Sequence, residues 1–293
     1  MTPAGGDPEG GDAGRVVSAG TWELLGTPFR IGCTSAAVGA AVAELFQAFA
    51  RVAEAAAPPH RFLVVDGCGH HGNDRCGHTE AGALDVSGPP AVALSWLLTA
   101  VNASAIDGFT GLAIHAGVLA AGRSAIAFPA PSGTGKTTLA AAGLLAGFDY
   151  VSDEALCIEP GTDELVPYPR ALALSSWSRH ALGLAEAAAV ELDGGEVAVP
   201  PHRLGAAIAV PPLELAHVVE LDRRPDGRPG PSVLTPAARP DAMTWLLERS
   251  FNHYKRPAES FGLAAALARG ARAWRLDYGD PLEAAALLRD RLG

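Results

Sequence analysis

Ala130-Pro-Ser-Gly-Thr-Gly-Lys-Thr137 is the stretch of this chain whose residue types and spacing could do chemistry. It fits the Walker A pattern, with Ala130 in the first glycine position. Small residues let backbone N–H groups close on a phosphate chain, and a following helix points its positive end at the anion. Lys136 would then reach the β- and γ-phosphates, and the Thr137 hydroxyl would coordinate Mg²⁺. The alternative is a Gly-rich turn with no ligand.

Lysine usage bears on the same point. The 22 basic residues comprise 20 arginines and two lysines, Lys136 and Lys255. Where almost every cation has become Arg, a remaining lysine marks a position that needs a compact ammonium. One of the two stands in the loop.

Asp153 follows Lys136 by 17 residues, at the end of the strand-like run Phe148–Ser152. A strand returning after the loop's helix is expected beside the first strand and parallel to it. Its C-terminal end would then face the phosphates. Asp153 and Glu154 could hold Mg²⁺ or act as a base, or be two solvated acids at a turn. No Asn/Thr-Lys-x-Asp segment is present to read guanine, because Lys255 lies in His-Tyr-Lys-Arg-Pro. No Leu-Ser-Gly-Gly-Gln-like segment follows the acids, so a transporter ATPase is disfavoured.

The elements that must position these residues are short. Val16–Ile31 reads as strands. Ser35 caps a helix predicted to run to about Ala57, with Val38, Val42, Leu45, Phe46 and Phe49 on one face. Arg61–Asp66 is a strand, and Pro90–Val101 a second helix. Ala113–Leu119 and Ser124–Ala130 form a hairpin-like pair ahead of the loop, and Thr137–Ala146 is the helix after it. Strand-like runs at Val166–Leu174, His217–Leu221 and Trp274–Tyr278 alternate with helices near Asp241–Ser250, Ala258–Arg269 and Pro281–Leu292. Asp222–Arg239, with six prolines or glycines, is expected as a surface loop. Trp96, Phe128 and Trp245 sit in apolar runs as core members would.

Composition limits the class. The chain has 293 residues, 22 Lys+Arg against 32 Asp+Glu, and a formal net charge of −10. An acidic surface argues against nucleic acid as partner. No uninterrupted apolar run of membrane-spanning length occurs, so no membrane partner is expected. The first 15 residues lack the basic start and apolar core of a signal peptide. Four cysteines make no disulfide framework. A cytoplasmic protein is the expectation.

Ile114–Glu159 resembles the HPr kinase/phosphorylase family, and more closely its HPr-kinase-related members of the lasso-peptide-maturation type. The shared pattern is an Ile-His, a short hairpin, a Ser-Gly-x-Gly-Lys-Ser/Thr loop, a helix ending in Gly, and a strand closing on an acidic pair. Val166–Leu174 is similar to the Pro-rich strand of those relatives, and residues 16–111 are more weakly similar to their N-terminal region. The resemblance implies an α/β fold with a P-loop domain of the HPr kinase/phosphoenolpyruvate-carboxykinase-like type and a small N-terminal α/β region. Residues 1–14, mostly Gly, Pro, Asp and Glu, read as a disordered tail, and the expected limits are the small region at 15–104 and the kinase domain at 105–293. Ser132, Gly133, Thr134, Gly135, Lys136, Thr137 and Thr138 would form the phosphate loop. Lys136 would stabilise the transferring phosphoryl group, Asp153 would take the proton of the substrate hydroxyl, and His115 would line the site. Glu154 would help Thr137 and Asp153 place Mg²⁺. The implied activity is transfer of phosphate from ATP to a serine of a peptide or small protein, with homo-oligomers plausible. Ala130-Pro131 replaces the family's Gly-Asp, Glu154 replaces an Asp, and the C-terminal phosphorylase motif is missing. A plain ATPase or a nucleotide-dependent regulatory module stands as the alternative.

Three other features invite chemistry. Cys68, His70, His71, Cys76 and His78 are zinc-type ligands, but without the short Cys-x2–4-Cys spacing. They are expected to form a solvated Gly/His loop. Arg170 and Arg203 could each clamp a phosphate or carboxylate bidentately, or serve as surface charges.

Overall fold

The computed structural model describes residues 17–52, 60–66, 76–78, 84–184, 189–224 and 230–293. The fold is mixed α/β. The first sheet contains β1 (Val17–Leu24), β2 (Thr27–Cys33), β3 (Ala50–Arg51), β4 (His60–Asp66), β5 (Cys76–His78) and β6 (Leu84–Gly88), in the order β3-β1-β2-β4-β6-β5. Helices α1 (Ala36–Leu45) and α2 (Pro90–Gly108) pack on it. Ser35 caps α1 as expected, accepting from the Val38 N–H at 3.2 Å. The helix nevertheless stops at Leu45, twelve residues short of its predicted end. Phe46 turns inward against Trp22, with ring centroids 5.4 Å apart, and Ala50–Arg51 adds to the edge of β1. The helical spacing of Phe46 and Phe49 reflects their shared burial target and not a continued helix.

Helix α2 exceeds its predicted end by seven residues, and it is the one described helix long and apolar enough to cross a membrane. Its Ala93, Leu94, Leu97, Val101, Ala105 and Ile106 are buried. Trp96 faces outward at 37% exposure, which corrects its expected place in the core. Phe128 and Trp245 are buried. The helix passes without a break through the expected boundary at 104/105. One apolar cluster runs from Trp22, Phe29 and Leu97 to Ala155, Tyr168 and Ala171. The two regions therefore share a core.

The second sheet is built on β7 (Leu112–Ala121), β8 (Ser124–Pro129), β9 (Asp149–Ser152), β10 (Ala155–Ile158) and β11 (Leu165–Val166). Helix α3 (Lys136–Leu145) joins β8 to β9. Next come β12 (Leu172–Leu174), α4 (Ser176–Ala181), β13 (Val190–Glu191) and β14 (Val197–Val199), whose three strands form a small separate sheet. The predicted strand Val166–Leu174 is thus two strands in two sheets, parted at Pro167–Arg170. The second sheet is completed by β15 (Glu214–Arg223), β16 (Val233–Ala237) and β17 (Arg272–Tyr278), with helices α5 (Arg239–Glu248), α6 (Pro257–Gly270) and α7 (Pro281–Leu292). Its order is β11-β10-β7-β8-β15-β17-β16 with β9 also on β7. Strand β16 corrects the reading of Asp222–Arg239 as a loop throughout. It pairs antiparallel with β17, and Pro236 is tolerated because the strand is at the edge.

Both faces of this sheet are covered. Leu119, Ile126 and Phe128 face α3 and α7, while Val118, Ala125 and Ala127 face α5 and α6. Two-sided burial explains why β7 and β8 read as unbroken apolar runs. Strands β8, β15 and β17 run parallel, so their C-terminal ends share one edge. The loop follows β8 there, and Arg223 and Tyr278 end the other two strands.

Gly117 lies opposite Phe128 across the hairpin, and a Cβ at Gly117 would sit 2.0 Å from the ring. Phe128 is fully buried and has nowhere to retreat. Gly117→Ala should therefore cost about 1–3 kcal/mol by overpacking. Urea denaturation of the two proteins measures it, and an unchanged midpoint would refute this account.

Candidate functional site

The 130–137 loop closes on itself through its own side chains. Thr134 Oγ1 donates to the Pro131 carbonyl at 2.8 Å. Lys136 Nζ donates to the carbonyls of Ala130 and Pro131, both at 2.9 Å. Gly133 and Gly135 take φ of +80° and +99°, conformations that side chains resist. Gly135 precedes α3, and no side chain caps the helix's first N–H groups. Lys136 is 6% exposed. Burial pushes its ammonium down to a pKa of about 8, against the pull of the Glu154 and Asp153 carboxylates.

The acidic pair stands at a kink. Strands β9 and β10 both run antiparallel along β7, one continuing the line of the other. Between them Ser152 Oγ accepts from the N–H groups of Glu154 and Ala155, at 3.1 and 3.0 Å. This turns two side chains out of the strand. The arrangement corrects the expected topology: β9 points the same way as β8, but β7 lies between them. The acids still reach the loop, because the kink is level with its end.

Asp153 is 1% exposed and surrounded by donors. Thr137 Oγ1 donates to Oδ2 at 2.8 Å, Tyr150 OH to Oδ1 at 2.9 Å, and Arg170 Nε lies 3.4 Å from Oδ1. Glu154 accepts from Asn102 Nδ2 at 3.2 Å and from Arg170 Nη1 at 3.3 Å. Arg170 thus straddles both acids. Burial opposes its charge, but the Asp153 and Glu154 carboxylates outweigh that and raise its pKa. The Tyr150 phenol is pushed up by burial and by Asp153, so it keeps its proton to donate. His115 Nδ1 lies 3.7 Å from Glu154 Oε1, and its ring meets Phe251 edge-on. Burial and the Lys136 charge hold its imidazole below the usual histidine value.

Most of the expected residues come together. Ser132, Gly133, Gly135, Lys136, Thr137 and Thr138 line one cavity of about 480 Å³. His115, Asp153, Glu154 and Arg170 line it too. Thr134 is on the loop but braces it from outside the cavity. Arg203 lies elsewhere, where its Nε donates to Glu44 at 2.8 Å. Cys68, His70 and His71 fall outside the described residues, as do the side chains of Cys76 and His78. Thr137 and Asp153 offer the hard oxygen donors that Mg²⁺ prefers, and Mg²⁺ needs few of them when phosphates complete its shell. Among the described residues, no group of three or more His, Cys, Asp or Glu side chains is arranged for a metal.

Sequence reasoning missed Tyr150, Asn102, Trp177, Ser178 and Arg223. Tyr150 and Asn102 reach the acids from within apolar segments, where nothing local marks them. Trp177 and Ser178 lie on α4, and Ser178 Oγ is 2.8 Å from Thr138 Oγ1. Arg223 had a usable signal, since it ends a strand parallel to β8, where α/β sheets gather ligand-binding groups. No protein-family model matches the chain, and no curated protein matches it either.

Two expectations follow from this geometry. Arg170→Met keeps the stem but leaves Asp153 and Glu154 without their shared cation, so it should destabilise the fold by roughly 3 kcal/mol. Equal denaturation midpoints for variant and wild type would contradict the bridging role. The second concerns pH. Folded Lys136 loses its proton near pH 8, whereas an unfolded lysine holds it to about 10.5. At this site the unfolded chain binds more protons between those values, so the contribution of Lys136 to stability should rise with pH across that window. In melts of wild type and Lys136→Met, the difference between the two stability curves should therefore grow in favour of wild type across the window. Parallel curves for the two proteins would be the contrary result.

Proposed function

We propose that the cavity binds ATP with Mg²⁺ and that the chain is a kinase, transferring the terminal phosphoryl group to a serine hydroxyl of a peptide or small protein. One observation carries the reading. Lys136 folds over a glycine loop at a helix start, beside a buried carboxylate that accepts from the Thr137 hydroxyl. A strand, a glycine loop, a helix start, a lysine and an acid brought together support phosphate binding. We further read the β7–β8 hairpin, its loop and the kinked β9–β10 line as a P-loop domain of the HPr kinase/phosphoenolpyruvate-carboxykinase-like type. The serine acceptor comes from the resemblance of Ile114–Glu159 and from nothing else.

The chemistry asks for little more. The acceptor oxygen attacks the terminal phosphorus, the bond to the ADP oxygen breaks, and a carboxylate takes the hydroxyl proton. Lys136 and the loop amides stabilise charge on the transferring group. Mg²⁺, held by Thr137 and Asp153, would neutralise charge on the phosphates. Asn102 and Arg170 fix Glu154 at the edge of the cavity, and His115 lines the wall beside it.

The geometry also favours a second division of labour. Both acids already accept donors at each oxygen, but Asp153 is closed to solvent, whereas the Glu154 side chain is 20% exposed. On this reading Asp153 organises the metal through Thr137 and Glu154 receives the proton. Water in place of a serine would then make the chain an ATPase. Single-turnover transfer from labelled ATP separates the assignments. If Asp153 is the base, Asp153→Asn should still bind ATP and lose about 10²–10⁴ in transfer rate. If Glu154 is the base, Glu154→Gln should show that loss, and Asp153→Asn should lose metal-dependent binding. Phosphate release to water as fast as to any peptide would replace the kinase with an ATPase. Full activity in both variants would refute the site.

A further inference from the structure

We propose that Trp177, with Arg223 stacked on it, is the platform for the base of a nucleoside triphosphate, so that the site takes a nucleotide in preference to a bare polyphosphate. This rests on the phosphate-loop reading above. Lys136, Asp153 and Glu154 line the cavity where the β- and γ-phosphates belong. Ser175, Trp177, Ser178, Glu196 and Arg223 line the same cavity, and Ser178 is bonded to Thr138, next to the loop's last residue. A ligand whose terminal phosphate sits on Lys136 has these residues in the same cavity to receive its remainder.

Trp177 is a large apolar side chain left 39% exposed at the rim of a polar cleft. It is also held in place. Ser175 Oγ caps α4 by accepting from the Ser178 N–H at 3.1 Å, and the Ser178 hydroxyl is bonded to Thr138. The tryptophan is thereby tied to the helix that starts at the loop. The Arg223 guanidinium lies 4.1 Å from the centre of its ring. The Arg223 stem passes close to Gly135, with Cδ 3.5 Å from where a Cβ would stand. An indole and a guanidinium plane, both fixed relative to the loop, offer a preformed stack that another flat group can extend. A base satisfies this surface, and purines present more stacking area than pyrimidines. Inorganic triphosphate has nothing to place there.

Calorimetry of the full chain with Mg²⁺ tests the proposal, using ATP and inorganic tripolyphosphate as probes. Wild type should bind ATP about tenfold or more tightly than tripolyphosphate, the usual worth of a base stacked on an aromatic ring. Trp177→Ala should lose about that factor for ATP and keep its tripolyphosphate affinity. Trp177→Leu, which retains apolar bulk, should behave the same way, with a thermal melt to confirm that both variants fold. Unchanged ATP affinity in these variants overturns the proposal. Equal weakening of both probes also overturns it, since Trp177 would then act only by positioning the loop through Ser178 and Thr138. The phosphate-loop reading fails differently: wild type binds neither probe, or Lys136→Ala binds both as wild type does, and the base site falls with it.

Discussion

A carboxylate closed off from water needs donors on every side, and this requirement organises the middle of the protein. Asp153 is nearly fully buried, and its donors come from three separate segments: Thr137 from α3, Tyr150 from β9 and Arg170 from the link before β12. Each segment must arrive within hydrogen-bond reach, or an uncompensated charge stays in a low-dielectric interior. That condition fixes where the loop's helix starts relative to the kink between β9 and β10. It also bears on the link at Pro167–Arg170, since the Arg170 carbonyl lies 3.0 Å from Tyr150 OH and shares its one proton with Asp153. The site is therefore part of the fold's polar framework and not a feature laid on its surface.

The same network reaches the first sheet. Asn102 on α2 donates to Glu154 and accepts from Tyr168 OH at 2.9 Å. Tyr168 lies beside Phe49, with ring centroids 5.7 Å apart, and Phe49 packs on Phe46. A line of contacts thus runs from the aromatic core of the first sheet to the second acid of the cavity. Here the shared apolar core and the polar network agree, and cutting the chain at 104/105 would sever both. Helix α2 belongs to both regions because it buries one side on the first sheet and spends Asn102 on the site.

Much of this was legible in the sequence because it rests on local rules. The hairpin, the loop and α3 follow from two apolar runs, a glycine-rich turn and a helical pattern, and α7 runs over Pro281–Leu292 as expected. What was not legible is long-range. The period of Phe46 and Phe49 suits a helix, yet a buried turn uses the same residues. The rule that returns a strand beside its predecessor says nothing of β7, which was already paired with β8 and takes β9 on its free side. Tyr150 and Asn102 become site residues only when distant segments meet, as do Trp177 and Arg223. Arg170 was visible as a candidate clamp, but its partners were not.

The two lysines show how far composition alone can lead. Lys136 fits the argument that a compact ammonium was needed, since its single nitrogen donates to two loop carbonyls at 2.9 Å each. Lys255 has a different explanation. Its ammonium donates to the Asp107 carbonyl at 2.9 Å, in the last turn of α2, and to the Asp107 carboxylate. A cation at a helix C-terminus meets carbonyls that the helix leaves unpaired. Both lysines therefore answer the same local demand, a single charge brought close to backbone carbonyls. In one case the carbonyls belong to a loop that starts a helix, and in the other to a helix end. What distinguishes Lys136 is its surroundings: carboxylates, hydroxyls and an open cavity lie beside it. Residue type selected both positions, and only the neighbours separate a lysine beside an open cavity from a helix cap.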